Sequence, residues 1–180
     1  MSLTYTIIPE YGLVYVRYVG TARLAETMEV FGRYAQDPAY RPGQKQLVDL
    51  SGITGYERDF LEMVKLQARK AETMSTNGAQ SLAVYHAPTS VSLEMARLVA
   101  RSWEGLEKVV VRVAQSEDQA LEMLGVPGAR FADLLGGAPH PFEPGFGVGL
   151  PPYIGQQRGL EQGQQLARVS LRQRRAGRRP

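Results

Sequence analysis

The chain has no cysteine among its 180 residues. Disulfide frameworks, thiol nucleophiles, iron–sulfur clusters and cysteine-ligated zinc are excluded together. Histidine is almost as scarce. His86 and His140 are the two present, which leaves little from which to build a histidine-rich metal centre or a histidine-based triad. No run of about 18 apolar residues occurs, so no membrane span is expected. Met1-Ser2-Leu3-Thr4-Tyr5-Thr6 has neither a basic n-region nor a long apolar h-region, so no targeting signal is expected there. The expectation is a soluble cytoplasmic protein, and the lack of cysteine fits a reducing compartment.

Nucleotide and hydrolase signatures are missing as well. There is no Gly-x-Gly-x-x-Gly, no Gly-x-x-x-x-Gly-Lys-Ser/Thr, no His-Glu-x-x-His and no Gly-x-Ser-x-Gly. Gly145-Phe146-Gly147-Val148-Gly149 follows no convincing strand and is assigned no nucleotide role. No cofactor, no metal and no catalytic residue is expected.

What is present divides into two blocks. Residues 1–135 carry 14 Lys and Arg against 16 Asp and Glu, whereas residues 136–180 carry 7 Arg against 2 Glu. The basic pI of about 9.3 therefore belongs to the C-terminal block. That block also holds 9 Gly and 6 Pro, a composition that buries too little apolar surface to offset chain entropy. The domain division is thus 1–135 as an α/β domain and 136–180 as a Gly/Pro/Arg-rich tail, expected to be mostly disordered, with a weak helix around Leu160–Arg175. Its run Arg172, Arg174, Arg175, Arg178 and Arg179 could touch phosphates. No aromatic is interleaved with it, so nucleic-acid binding is expected only weakly and only through this tail.

In the first block, Leu3–Ile8 and Leu13–Val19 read as strands joined by a turn at Tyr11-Gly12, an antiparallel hairpin. Alternation puts Val14, Val16 and Tyr18 on one face of the second strand and Leu13, Tyr15 and Arg17 on the other. Thr21 is expected to cap a helix to Gln36, with Leu24, Met28, Phe31, Tyr34 and Ala35 as its apolar stripe. Gln46–Leu50 is a buried strand and Ser51–Gly55 a loop. A second helix runs from Tyr56 to Met74, with Phe60, Met63, Val64, Ala68 and Ala71 facing inward, and Thr76-Asn77-Gly78 closes it. Ser81–His86 is a strand, followed by a helix to about Trp103, with Pro88 as an early helical residue or Thr89 or Ser90 as the cap. Lys108–Ala114 is the fifth strand. Ser116 with Gln119 has capping-box form for a short helix to Leu124, and residues 129–135 are a last helical turn. The fold class is α/β: a five-stranded mixed sheet, made of an N-terminal antiparallel hairpin and then βα units, with about four helices.

Three stretches in this order resemble the STAS, or anti-sigma-factor-antagonist-like, superfamily, in its SpoIIAA-like, SEC14-type branch. They are Gly12-Leu13-Val14 through Gly20 with Asp37-Pro38-Ala39-Tyr40; Leu47-Val48-Asp49-Leu50-Ser51-Gly52-Ile53-Thr54; and Met95-Ala96-Arg97 with Val111-Arg112-Val113, Glu117-Asp118-Gln119-Ala120-Leu121 and Leu124-Gly125. The resemblance covers residues 3–127. It implies a SpoIIAA/STAS-like fold and a regulatory role through protein contacts. Antagonists of that family carry a phosphorylated serine at the start of the helix after the Asp-Leu-Ser-Gly loop. Here that place reads Tyr56-Glu57-Arg58-Asp59-Phe60, with no Ser or Thr to accept a phosphoryl group, so the serine switch is not expected.

Ligands of open α/β sheets bind beyond the carboxyl ends of the strands, where helix N-termini favour anions. Asp49, Ser51, Thr54, His86, Thr89 and Ser116 are the candidate lining of a site for a small polar or anionic ligand. As plain structure, the same residues are caps and turns. Three functions follow. The first is a non-enzymatic STAS-like regulatory or binding domain, acting through a protein partner, self-association as a homodimer, or a small ligand. The second, implied by the SEC14-type side of the resemblance, is a carrier of an apolar or lipid-like ligand in a pocket under the helices, to which Met63, Met74, Met95 and Met123 could adapt. The third is a weak hydrolase-like enzyme using Asp49, His86 and a loop hydroxyl within hydrogen-bond reach of one another.

Overall fold

The computed structural model describes residues 2–74, 80–128 and 130–136. The expectations for Thr76-Asn77-Gly78 and for the tail beyond Gly136 lie outside the described residues.

Among the described residues the fold is α/β, with one five-stranded mixed sheet and five helices, four of them of seven residues or more. Strand β1 (Ser2–Ile8) pairs antiparallel with β2 (Leu13–Ala22), from Ser2 opposite Val19 to Ile8 opposite Leu13. A single 3₁₀ turn at Pro9–Tyr11 joins them, and Gly12 leaves it at φ +56°, the left-handed conformation that glycine adopts without a Cβ clash. Then α1 (Leu24–Ala35), β3 (Lys45–Tyr56), α2 (Phe60–Met74), β4 (Ser81–His86), α3 (Ser90–Ser102), β5 (Val109–Ala114), α4 (Glu117–Leu124) and α5 (Phe131–Leu135) follow. The strands lie in chain order, β1-β2-β3-β4-β5, and all pairs after the first are parallel.

This monotonic order decides the layering. Right-handed crossovers that always step the same way across a sheet put every crossover helix on one face. Helices α1, α2 and α3 accordingly cover one face, over a core that includes Tyr18, Val48, Leu50, Met63, Tyr85, Met95 and Val99. The other face is left to the C-terminal segment. Helices α4 and α5 close it, over Leu13, Tyr15, Leu47, Val84, Ala114, Leu121, Leu124, Phe131 and Leu134.

The structure corrects four local expectations. Ser51–Gly55 is not a loop: β3 runs through it to Tyr56 and pairs with the far half of β2, down to Tyr56 opposite Ala22. The pairing slips by one residue between Arg17/Asp49 and Val19/Gly52, a bulge that the Ser-Gly pair accommodates. A Cβ on Gly52 would stand 2.8 Å from the Tyr18 carbonyl oxygen, so here glycine permits close strand approach rather than a turn. Thr21 is not a cap but a β2 residue; α1 begins after Arg23, and its Leu24 N–H donates to Glu57 Oε2 at 2.9 Å, so a carboxylate from the end of β3 caps it. The α2 helix begins at Phe60, where Asp59 Oδ1 accepts from Glu62 N–H at 3.0 Å. At α4, the Ser116 side chain makes no cap bond, and Gln119 Oε1 accepts from Gln115 N–H instead.

The inward face of α2 also differs from expectation. Phe60 is exposed, while Gln67 and Lys70 are buried beside Met63, Leu66, Ala71 and Met74. The Lys70 ammonium sits 5.6 Å from the Phe31 ring centre and 5.4 Å from that of Trp103, in an aromatic cleft between α1 and the end of α3. Burial pulls its pKa down from 10.5 to about 8. The two rings attract the cation and offset part of the desolvation.

Two expected outcomes follow. Gly52→Ala forces β2 and β3 apart and lowers unfolding free energy by about 1–3 kcal/mol, read by urea denaturation. Lys70→Met keeps the volume and removes the buried charge, raising stability at pH 7 by about 1–3 kcal/mol. Between pH 8 and 10.5 the unfolded chain holds the lysine proton and the folded one has lost it. Wild-type stability therefore rises with pH across that window, and the Lys70→Met protein lacks the rise.

Candidate functional site

Register across three parallel strands builds the principal polar cluster. Arg17 of β2 lies opposite Asp49 of β3, and Asp49 opposite His86 of β4. Alternation turns all three toward the α4–α5 face, with Tyr15 two residues before Arg17 on the same side. The Asp49 carboxylate is buried and fully engaged. Its Oδ1 accepts from Ser51 N–H at 3.0 Å and from His86 Nδ1 at 3.0 Å, and its Oδ2 accepts from the Tyr15 hydroxyl at 2.7 Å. Arg17 Nε stands 3.8 Å from Oδ2, its side chain 53% exposed. An ionised acceptor at Oδ1 places the imidazole proton on Nδ1.

The competition at Asp49 is legible in its acidity. Burial pushes its pKa upward, but donation by His86, by the Ser51 amide and by Tyr15 outweighs it, and the carboxyl falls from 3.8 to about 2. Tyr15 moves the other way. Burial first, and then its bond to the Asp49 carboxylate, raise the phenol well above its ordinary value. The hydroxyl stays protonated and donating.

A lid of one aromatic side chain closes the cluster. The Phe131 ring of α5 meets the His86 ring edge-to-face at 4.9 Å and the Tyr15 ring at 5.7 Å. Its backbone N–H donates to Glu117 Oε2 at 2.7 Å.

The six residues expected at the site therefore separate. Asp49 and His86 are hydrogen-bonded to each other, and Ser51 joins through its amide. Thr54 lies further along β3, exposed on the strand. Thr89 caps α3 in a reciprocal box with Ser92: Thr89 Oγ1 accepts from Ser92 N–H at 3.1 Å, and Ser92 Oγ accepts from Thr89 N–H at 2.9 Å. Ser116 precedes α4. None of these last three hydrogen-bonds to the Asp49–His86 pair among the described residues. Tyr15, Arg17, Glu117 and Phe131 were missed. Strand alternation already placed Tyr15 and Arg17 on one face, and that was the available signal. Nothing local in residues 129–135 says that Phe131 lands on His86. Among the described residues no three His, Asp or Glu side chains converge as metal ligands, and no helix is long and apolar enough to cross a membrane.

Two further features lie on the other face. A cavity of about 30 Å³ between α1–α3 and the sheet is lined by Tyr18, Thr27, Gln67 and Tyr85 among apolar neighbours. The buried Gln67 Oε1 has no hydrogen-bond partner among the described residues. That space suits a water molecule or two, whereas a small-molecule pocket needs about 300 Å³ or more. An open groove of about 520 Å³ runs between the end of β3 and α3, lined by Tyr56, Arg58, Leu93, Glu94, Arg97 and Arg101. Arg58 stacks on Tyr56 and pairs with Glu94 at 3.2 Å. Arg101 lies over the exposed Phe60 ring, and Leu61 beside it is 65% exposed. Arg97 and Arg101 have no carboxylate partner among the described residues.

The chain matches no protein-family model, and a search of curated proteins finds no match.

Asp49 contributes stability above pH 3.8 that is lost as pH falls to about 2, where the folded carboxyl protonates. A shift of that size corresponds to about 2 kcal/mol. Asp49→Asn is expected to lose it at pH 7 and to flatten the acid limb of a stability–pH curve measured by denaturant titration.

Proposed function

We propose that the domain is a non-enzymatic, STAS-like regulatory or binding module that acts through protein contacts. The observation that carries this reading is the open groove at Arg58, Arg97 and Arg101, flanked by exposed Phe60 and Leu61. Apolar anchors ringed by arginine are the composition of a protein interface, and Arg and aromatic residues dominate binding hot spots. The residues 1–135 are acidic in sum, so this cationic strip stands out from its own background. The partner it complements is an acidic protein segment carrying an apolar side chain.

A second reading, a weak hydrolase-like enzyme, is favoured by the 3.0 Å Asp49–His86 bond. Against it, Phe131 covers the imidazole, and Ser51 reaches Asp49 through its amide. The carrier reading gains little from a 30 Å³ cavity.

The test places a photo-crosslinking amino acid at Leu61 and, as control, at Thr6 on β1 in the full-length chain. The expected result is a discrete acidic crosslinked partner from Leu61 only, with the yield cut roughly tenfold by Arg97→Glu with Arg101→Glu. Equal crosslinking from Thr6, or indifference to charge reversal, overturns the reading. Ester hydrolysis abolished by His86→Asn moves the assignment to the second reading.

A further inference from the structure

We propose that the cavity beneath α1–α3 is a binding site for a short-chain alcohol, whose hydroxyl bridges Gln67 of α2 and Tyr85 of β4. Three observations support it. The Gln67 side chain lines the cavity and the residue is 2% exposed, yet its Oε1 meets no donor among the described residues. A buried acceptor left bare is costly, so a donor inside the cavity is favoured. Tyr85 is buried on the wall of the same cavity. Its oxygen accepts from Trp103 Nε1 at 3.4 Å, and its own proton meets no acceptor among the described residues. Burial raises the phenol's pKa, so that proton stays in place. The other two hydroxyls on the wall are committed. Thr27 Oγ1 donates to the Arg23 carbonyl at 2.9 Å, which leaves the Tyr18 hydroxyl to donate to Thr27 Oγ1 at 3.2 Å. One acceptor and one donor therefore remain open.

A hydroxyl group is the complement of that pair, since it donates one proton and accepts through its lone pairs. The remaining walls are apolar, so what the hydroxyl is attached to is hydrocarbon. At about 30 Å³ the cavity admits a water molecule or two. Met63 and Met95 stand on its wall, and their unbranched, flexible side chains can move aside for a methyl or ethyl group. Methanol and ethanol meet these limits of chemistry and size, and a lipid chain does not. The site shares no lining residue with the Arg58–Arg101 groove, so this inference stands apart from the proposed function.

The test titrates the full-length protein, labelled with methyl-¹³C methionine, with ethanol and with acetonitrile, a molecule of similar size that has no proton to give Gln67. The expected result is that the Met63 and Met95 methyl resonances shift and saturate with ethanol, at a dissociation constant of roughly millimolar order, as suits so few non-hydrogen atoms. Acetonitrile leaves them in place. Gln67→Leu removes the acceptor and weakens ethanol binding roughly tenfold, and Tyr85→Phe removes the donor and weakens it about fivefold. Shifts that grow linearly without saturation, an equal response to acetonitrile, or a response that survives both substitutions overturns the proposal. Methionine methyls that do not move at all overturn it too, and leave the cavity to water alone. Should either variant lose its fold, the contrast between ethanol and acetonitrile on the wild-type protein decides by itself.

Discussion

An ionised carboxylate in the middle of a sheet is tolerated only if donors replace the water it lost. At Asp49 the replacement comes from three directions: a phenol on β2, an imidazole on β4 and an amide of its own strand. The desolvation cost is large, yet the carboxyl is more acidic than in water, so the donors more than match it. This fixes more than one side chain. The bond to Tyr15 and the bond to His86 tie β2, β3 and β4 together at one level. A one-residue slip of β3 would turn Asp49 into the apolar core on the opposite face. The charge thus works as a register pin. The bulge that follows it, between Asp49 and Gly52, is where the sheet absorbs the turn of the chain toward the Ser51 amide.

Much of this was legible in the order of residues, because strand alternation and helical spacing are local signals. Five strands and the helices between them appear where hydrophobic period and turn residues place them. The face assignment of Leu13, Tyr15 and Arg17 holds. The errors share a physical cause. Ser51-Gly52 and Gly55 have turn composition, but their glycine serves the close approach of β2 to β3, a tertiary demand that no single strand announces. Thr21 has the chemistry of a cap, but β2 continues through it because β3 continues alongside. Glu57, by spacing a first-turn acid of α2, caps α1. Caps supplied from a distant element carry no local signature.

The candidate site was half visible for the same reason. Asp49 and His86 each end an apolar strand, and parallel in-register pairing brings strand ends together. Their meeting follows from topology. Thr54, Thr89 and Ser116 were grouped with them on the premise that the strand-end segments meet at one site. One of those segments is strand, and the hydroxyls of the others serve or flank helix starts. Phe131 could not be found, since its position depends on a six-residue connection after Leu124 folding back over the sheet.

The layering explains why two unlike surfaces coexist on so small a domain. Three crossover helices on one face leave the other to the chain after β5, and among the described residues two short helices cover it. The first face buries a broad apolar core and meets solvent through its helices, where Arg58, Arg97 and Arg101 can gather without disturbing the fold. The second face is thinly covered, and its polar row is kept satisfied from within the sheet. Beside that row the second cover also buries an apolar cluster, Leu13, Leu47, Val84, Leu121 and Leu124, so both faces hold core. The proposed contact with another protein rests on the arginines exposed on one side. On the other, a five-residue helix sets its aromatic ring against an imidazole.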